Sequence, residues 1–259
     1  MEISTAIRLL GDILGEVITE LESRELFDTE ERIRLAAKDR RGGKVEATKQ
    51  LEAEVEALSL EEARVVSTAF TTYFDLVNLA EEFRRVHQLR EREIKLYPEP
   101  VSDSVGDAIV TLKKQGVTPK QLQSLLDELS LELVLTAHPT ESRRRTVVSK
   151  LQRVARLLDR LGEEQLTQRQ REKTIAGIRA EVVALWLTER TRTIKPTVTD
   201  EVRTGLHFVE SVFWSALPAI YADLDHALAS HYPEVVSSPN WLRLASWMGG
   251  DRDGPQRDP

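Results

Sequence analysis

From Ile3 to about Leu129, apolar residues recur at steps of three and four with few breakers, and this spacing predicts an almost wholly α-helical first half. One stripe runs through Val66, Phe70, Tyr73, Val77 and Ala80, and Ser59 with Glu62 three residues later forms a capping box at the start of that helix. Gly42-Gly43 and Pro98-Glu99-Pro100 break the pattern. Thr118, Pro119 and Gln121 open a further helix, because proline is tolerated at the first helical position and glutamine reaches back to the cap.

The period changes at Leu131. Residues 131–137 form a short apolar run with one charge, which predicts a buried strand stopped by His138-Pro139, since proline has no amide hydrogen to continue a ladder. A long helix follows with Val147, Leu151, Val154, Leu158 and Leu161 on one face, ended by Gly162. Two more helices are expected over about 167–191 and about 200–231, separated by Thr193-Ile194-Lys195-Pro196, with Pro218 kinking or splitting the second. A second strand is expected at 241–247, running into Met248-Gly249-Gly250-Asp251-Arg252-Asp253-Gly254, which is not regular structure. Trp186, Trp214 and Trp241 are expected to be core aromatics. His87, His207, His226 and His231 lie in helical stretches without a ligand set around them.

Composition narrows the function classes. The chain has 259 residues, 41% apolar and 31% charged, with 12 Gly and 10 Pro, a globular and helix-favouring balance. It contains no cysteine, which excludes disulfides, thiolate metal sites and a cysteine nucleophile. No stretch reaches the ~18 consecutive apolar residues of a membrane span, and Met1-Glu2-Ile3-Ser4 does not resemble a secretory signal, so a soluble, unprocessed, cytoplasmic protein is expected. The net charge of −7 argues against general nucleic-acid binding. Between Glu141 and Arg160, however, seven basic residues face two acidic ones, either an anion-binding segment or a solvated helix face.

Two constellations carry candidate chemistry. Thr136-Ala137-His138-Pro139-Thr140-Glu141, with Arg144 and Arg145 beyond it, sits where a strand turns into a helix. In α/β barrels and open parallel sheets, reactive groups gather at such strand ends. A histidine there can move protons or stabilise an anion, and the arginines suit phosphate or carboxylate; the alternative is a histidine that only caps the turn. The second is Gly249-Gly250-Asp251-Arg252-Asp253-Gly254, where glycines let backbone approach a ligand while charged side chains converge. Its alternative is a turn in which Arg252 pairs with Asp251 or Asp253. An EF-hand register fails here, because its first ligand would be Gly249, so calcium is discounted. The chain has no Walker loop, dinucleotide glycine fingerprint, zincin motif or nucleophile elbow.

Taken together, the histidine loop with Arg144-Arg145-Thr146 and the segment Ser246-Trp247-Met248-Gly249-Gly250-Asp251-Arg252-Asp253-Gly254 resemble two motifs of phosphoenolpyruvate carboxylases. Weaker likenesses at 10–16, 78–82 and 185–201 extend the resemblance over essentially the whole chain, and the absence of the plant phosphorylation motif favours a bacterial-type relative. The resemblance implies a cytoplasmic, usually homotetrameric enzyme that carboxylates phosphoenolpyruvate with bicarbonate, using magnesium, to give oxaloacetate and phosphate. It implies that His138 is the catalytic histidine, that Trp247 lines an apolar pocket for carbon dioxide, and that Arg144, Arg145, Gly249, Gly250, Asp251, Arg252 and Asp253 surround the active site. Where the family continues with Asn-Pro, this chain has Pro255-Gln256.

The expected fold is therefore mainly α: a helical body with the first two strands of an incomplete α/β (TIM-like) barrel. Residues 1–130 are expected to form the helical region and 131–259 the start of the barrel with large helical insertions, in one continuous unit. No metal ligand is expected within this chain, the magnesium ligands lying beyond Pro259. The chain is expected to be an amino-terminal fragment, inactive by itself. The alternative from another class is a non-catalytic helical interaction module that retains an ancestral active-site loop.

Overall fold

The computed structural model describes residues 2–136, 144–163, 165–189 and 197–250. The fold is mainly helical, with one two-stranded parallel sheet, as the sequence pattern predicts. The chain divides into two compact units, one of residues 1–88 with 144–191 and the other of residues 89–143 with 192–259. Among the described residues no helix is long and apolar enough to cross a membrane.

The first unit contains α1 (Ile3–Leu21), α2 (Arg24–Arg41), α3 (Val45–Glu56), most of α4 (Leu60–Leu96), α7 (Arg145–Leu161) and α8 (Gln168–Trp186). Its core draws Leu10, Ile13, Leu14 and Val17 from α1, and Val65, Ala69, Leu76 and Ala80 from α4. The apolar stripe of α7 completes it with Ile178, Val182 and Leu185 of α8. Fully burying such an aliphatic side chain contributes about 1.5–3 kcal/mol, so these periodic faces, more than helix propensity, hold the helices in place. All five stripe residues of α7 are buried, and the helix stops at Gly162 as expected.

The helix starts follow their capping residues. Glu62 accepts the Ser59 N–H at 2.8 Å while Ser59 Oγ accepts the Glu62 N–H at 3.3 Å, and Thr167 with Gln170 forms the same box before α8. The buried face of α4 differs from the expected stripe. It runs through Val65, Ala69, Thr72, Leu76 and Ala80; Val66 is also buried, but Phe70, Tyr73 and Val77 are only half-buried. Both stripes are helix-periodic and adjacent, so spacing alone leaves the choice to the packing partners.

The second unit contains the end of α4, α5 (Val105–Lys114), α6 (Pro119–Glu128), β1 (Leu131–Leu135), α9 (Val198–Phe208), α10 (Trp214–His231) and β2 (Leu242–Ser246). Ile109, Leu122, Leu126, Leu224, Leu228, Tyr232 and Trp241 form its core. The expected break near Pro218 lies upstream, in a π turn over Val209–Phe213, and Pro218 sits inside α10. The carbonyl that a proline at 218 leaves without its helical donor, and crowds with its ring, belongs to Trp214, the residue that follows the π turn. Trp186 and Trp241 are buried as expected, but Trp214 is 79% exposed and is not a core aromatic.

β1 and β2 pair in parallel, Leu131 opposite Leu242 and Leu135 opposite Ser246, and each is slightly shorter than the expected run. The expected burial of β1 does not hold: Leu131, Leu133 and Val134 are exposed, because no described element covers those faces. Side chains anchor the start of β2. The Tyr221 hydroxyl accepts the Leu242 N–H at 3.1 Å, and Gln123 exchanges two hydrogen bonds with the backbone of Val236 at 2.9 and 3.0 Å. The Tyr232 hydroxyl donates to the Val117 carbonyl at 2.9 Å.

One buried charge in the first unit has a measurable consequence. Glu30 of α2 is 7% exposed. Burial first, and then the neighbouring Glu31 carboxylate, push its pKa up to about 7, with Arg34 opposing them. Because the folded chain holds a proton that the unfolded chain releases, this group's contribution to stability falls as pH rises from about 4.5 towards about 7. Replacing Glu30 by Gln should remove roughly 2–3 kcal/mol of that loss. The check is urea unfolding of both proteins at about pH 5 and about pH 8. An equal change in stability for the two proteins would contradict it.

Candidate active site

The two candidate loops leave the same end of the sheet. Trp247, the first residue after β2, donates its N–H to the Leu135 carbonyl at the end of β1 at 2.9 Å. A parallel pair in register sends both strands towards the same side, so the chain departs at Thr136 and at Trp247 from adjacent positions. His138 lies outside the described residues, as do Asp251, Arg252 and Asp253. Trp247, Gly249 and Gly250 fall together in one turn of the second unit. Arg144 and Arg145 belong to the first unit, at the start of α7.

Arg144 occupies the N-cap position of α7 with no side-chain cap, and the Val147 and Val148 N–H groups donate to its carbonyl at 2.9 and 3.2 Å. Arg145 is the first helical residue and is exposed. The first turn of a helix carries free amide hydrogens and partial positive charge. Two guanidinium groups at this terminus give it the chemistry expected for an anion.

The turn after β2 is held by α9, through residues that the sequence pattern did not single out. Gly249 adopts φ +79°, and a Cβ there would lie 2.3 Å from Val202 Cγ2. The Gly249 N–H donates to Glu201 Oε2 at 3.3 Å. A Cβ on Gly205 would meet Met248 Sδ at 3.0 Å. Val198, Glu201, Val202 and Gly205 recur at three- and four-residue steps, so one face of α9 carries the whole contact. The available signal was a glycine inside an amphipathic helix, which marks close approach.

The backbone donors of this turn are engaged, since the Gly250 N–H donates to the Trp247 carbonyl at 2.9 Å and that of Met248 to Ser246 Oγ at 3.0 Å. The amides of Met248, Gly249 and Gly250 are therefore taken up within the unit rather than offered to a ligand. Trp247, 62% exposed, leaves an open indole at this end of the sheet. Among the described residues no group of three or more His, Asp or Glu is placed to hold a metal ion. Gly249→Ala should destabilise the second unit by about 2 kcal/mol or more, through both the positive φ and the collision with Val202. Gly250→Ala, whose Cβ would meet nothing closer than 3.8 Å, should change stability by about 0.5 kcal/mol at most. Thermal unfolding followed by tryptophan fluorescence compares them, and equal effects would refute the clamp.

Comparison with known proteins agrees with these motifs. The family model described as phosphoenolpyruvate carboxylase matches residues 3–257. A phosphoenolpyruvate carboxylase of Roseiflexus castenholzii is 41% identical over 255 residues, covering 97% of this chain and 27% of the relative. That of Rhodothermus marinus is 35% identical over 254 residues, with the same coverage, and that of Thermus thermophilus 38% over 247 residues, covering 95% of this chain and 27% of the relative. The chain thus spans about a quarter of the length of the curated relatives it matches. On the match of nearly its whole length, the chain belongs to the phosphoenolpyruvate carboxylase family.

Proposed function

We propose that this chain supplies the histidine loop and the glycine-aspartate loop of a phosphoenolpyruvate carboxylase, which joins phosphoenolpyruvate and bicarbonate to give oxaloacetate and phosphate. The observation that carries this reading is the parallel, in-register β1–β2 pair, which releases both motif-bearing segments from one end of a sheet, where α/β enzymes gather reactive groups. The two strands are the first of an α/β barrel, whose further strands would pair at the open edge of the sheet.

In this scheme a bicarbonate oxygen attacks the phosphoryl group, the bond from phosphorus to the enol oxygen breaks, and carboxyphosphate and the enolate of pyruvate result. Carboxyphosphate then yields carbon dioxide and phosphate, and the enolate carbon captures the carbon dioxide. His138 manages the proton on carboxyphosphate and stabilises the anionic intermediate. Arg144 and Arg145 hold anionic groups, Trp247 gives carbon dioxide an apolar wall, and Arg252 and Asp253 complete the surroundings. Among the described residues no group of acidic or histidine side chains would hold magnesium, and its ligands are assigned to other parts of the assembled enzyme. The working enzyme is cytoplasmic and homotetrameric.

By this reading the chain alone forms no oxaloacetate from phosphoenolpyruvate and bicarbonate at any magnesium concentration, and gains activity when joined in frame to the remaining part of a family member. In that active form His138→Asn should lower turnover roughly a hundredfold or more while circular dichroism stays unchanged. Oxaloacetate formation by the chain alone would refute the division of the site. An inactive joined protein that folds would favour the non-catalytic interaction module.

A further inference from the structure

A cavity of about 750 Å³ lies within the first unit, between α1 and α2, with Tyr73 of α4 contributing to its wall. It is remote in sequence from both candidate loops and has no part in the proposed reaction. Its lining mixes apolar side chains (Ile7, Leu14, Phe27) with charged ones. Most of the charges are already engaged. Glu31 takes Arg34 in a two-point pair at 2.8 Å and 2.8 Å. Glu20 and Glu16 both pair with Arg179, and Arg24 pairs with Asp28 at 3.1 Å.

Arg8 and Asp12, also in the lining, are exposed to solvent, whereas Glu30 is buried. Glu30 lines the cavity and is 7% exposed, and among the described residues no hydrogen bond reaches its carboxyl, the Arg34 guanidinium being turned to Glu31. A buried polar group without a partner is costly unless something enters to satisfy it. The cavity is large enough for a small molecule, which sets Glu30 apart from a carboxyl sealed in a core.

We propose that this cavity binds a small organic ammonium ion, its charged nitrogen hydrogen-bonded to the Glu30 carboxylate and its carbon chain laid against Phe27 and Tyr73. An anion is disfavoured, since the buried charged side chain of the described lining is a carboxyl. A divalent metal would need several converging oxygen ligands, and the described residues provide no such cluster. An ammonium needs one carboxylate and gains further from an aromatic face, which Tyr73 supplies.

Binding couples to protonation. The charged and titratable groups that line the cavity with Glu30 are Arg8, Asp12, Glu16 and Glu20 from α1, Arg24, Glu31 and Arg34 from α2, and Tyr73 from α4, with no histidine among them, and Glu31 and Arg34 act on its charge directly. Because Glu30 holds its proton up to about pH 7, an ammonium that binds the carboxylate must displace that proton to solvent. Affinity should therefore rise about tenfold from about pH 6 to about pH 8.

The probe is n-butylammonium chloride, titrated into the 259-residue chain by calorimetry in two buffers of different ionisation enthalpy, with n-butanol and sodium chloride as controls. Expected are saturable binding of butylammonium alone, release of a fraction of one proton near pH 7, and at least about tenfold weaker binding by Glu30→Gln. The proton count is read on the unmodified chain, so it stands even if the variant folds poorly. Equal binding of n-butanol, equal affinity of a folded Glu30→Gln variant, or binding without proton release would each overturn the proposal. None of these outcomes depends on carboxylase activity, so failure here leaves the proposed reaction untouched and the reverse also holds.

Discussion

The parallel pairing of β1 with β2 is the constraint on which the rest of the architecture depends. An antiparallel pair can close through a two-residue turn, whereas a parallel pair requires the chain to travel back along the sheet before the second strand begins. Here that return occupies the whole stretch from Thr136 to Trp241. The stretch is not an inert connection. It includes α7 and α8, whose buried faces supply Val154, Leu158, Ile178 and Val182 to the core of the first unit, and α9 and α10, which serve the second. The hydrogen bonds that close the ladder run from Leu131 N–H to the Trp241 carbonyl and from Trp247 N–H to the Leu135 carbonyl, and α7, α8 and α10 between them pack on helices that precede β1.

Within the second unit, anchoring is concentrated at the two ends of β2. At its start, Tyr221 and Gln123 fix the approach from α10; at its end, α9 fixes the departure through Glu201, Val202 and Gly205. A strand with only one paired neighbour is free to slip or fray. Side-chain hydrogen bonds and close glycine contacts at both termini limit this freedom and hold Trp247 where the chain turns. Among the described residues Leu131, Leu133 and Val134 stay exposed on this sheet, and exposed apolar side chains carry a cost that burial would remove.

The first unit holds two buried carboxyls, Glu30 and Asp75, and the first of them lies beside an open volume. Gly15 lets Phe27 come close, because a Cβ at that position would lie 2.7 Å from its ring. Both residues line the cavity that also holds Glu30. Arg34 is near enough to temper the charge of Glu30, but its two-point bond goes to Glu31. The result is a group with a raised pKa facing an open volume rather than a satisfied ion pair.

The sequence by itself determined which segments are helices, where several of them start, and which two runs are strands. Those properties follow from local spacing and from caps whose partners lie three residues away, as with Ser59 and Glu62 or Val147 through Leu161. It also carried the two motifs by which the family is recognised, because the chemistry at a strand end rests on contiguous residues. Tertiary structure alone decided which of two adjacent stripes of α4 faces the core, that Trp214 lies outside while Trp241 lies inside, and that α9 grips the turn at Gly249. It also left Glu30 without a partner beside a cavity. Each of these depends on contacts between residues far apart in the chain, and periodicity, which fixes the angle between neighbours on one helix, says nothing about what that helix will meet.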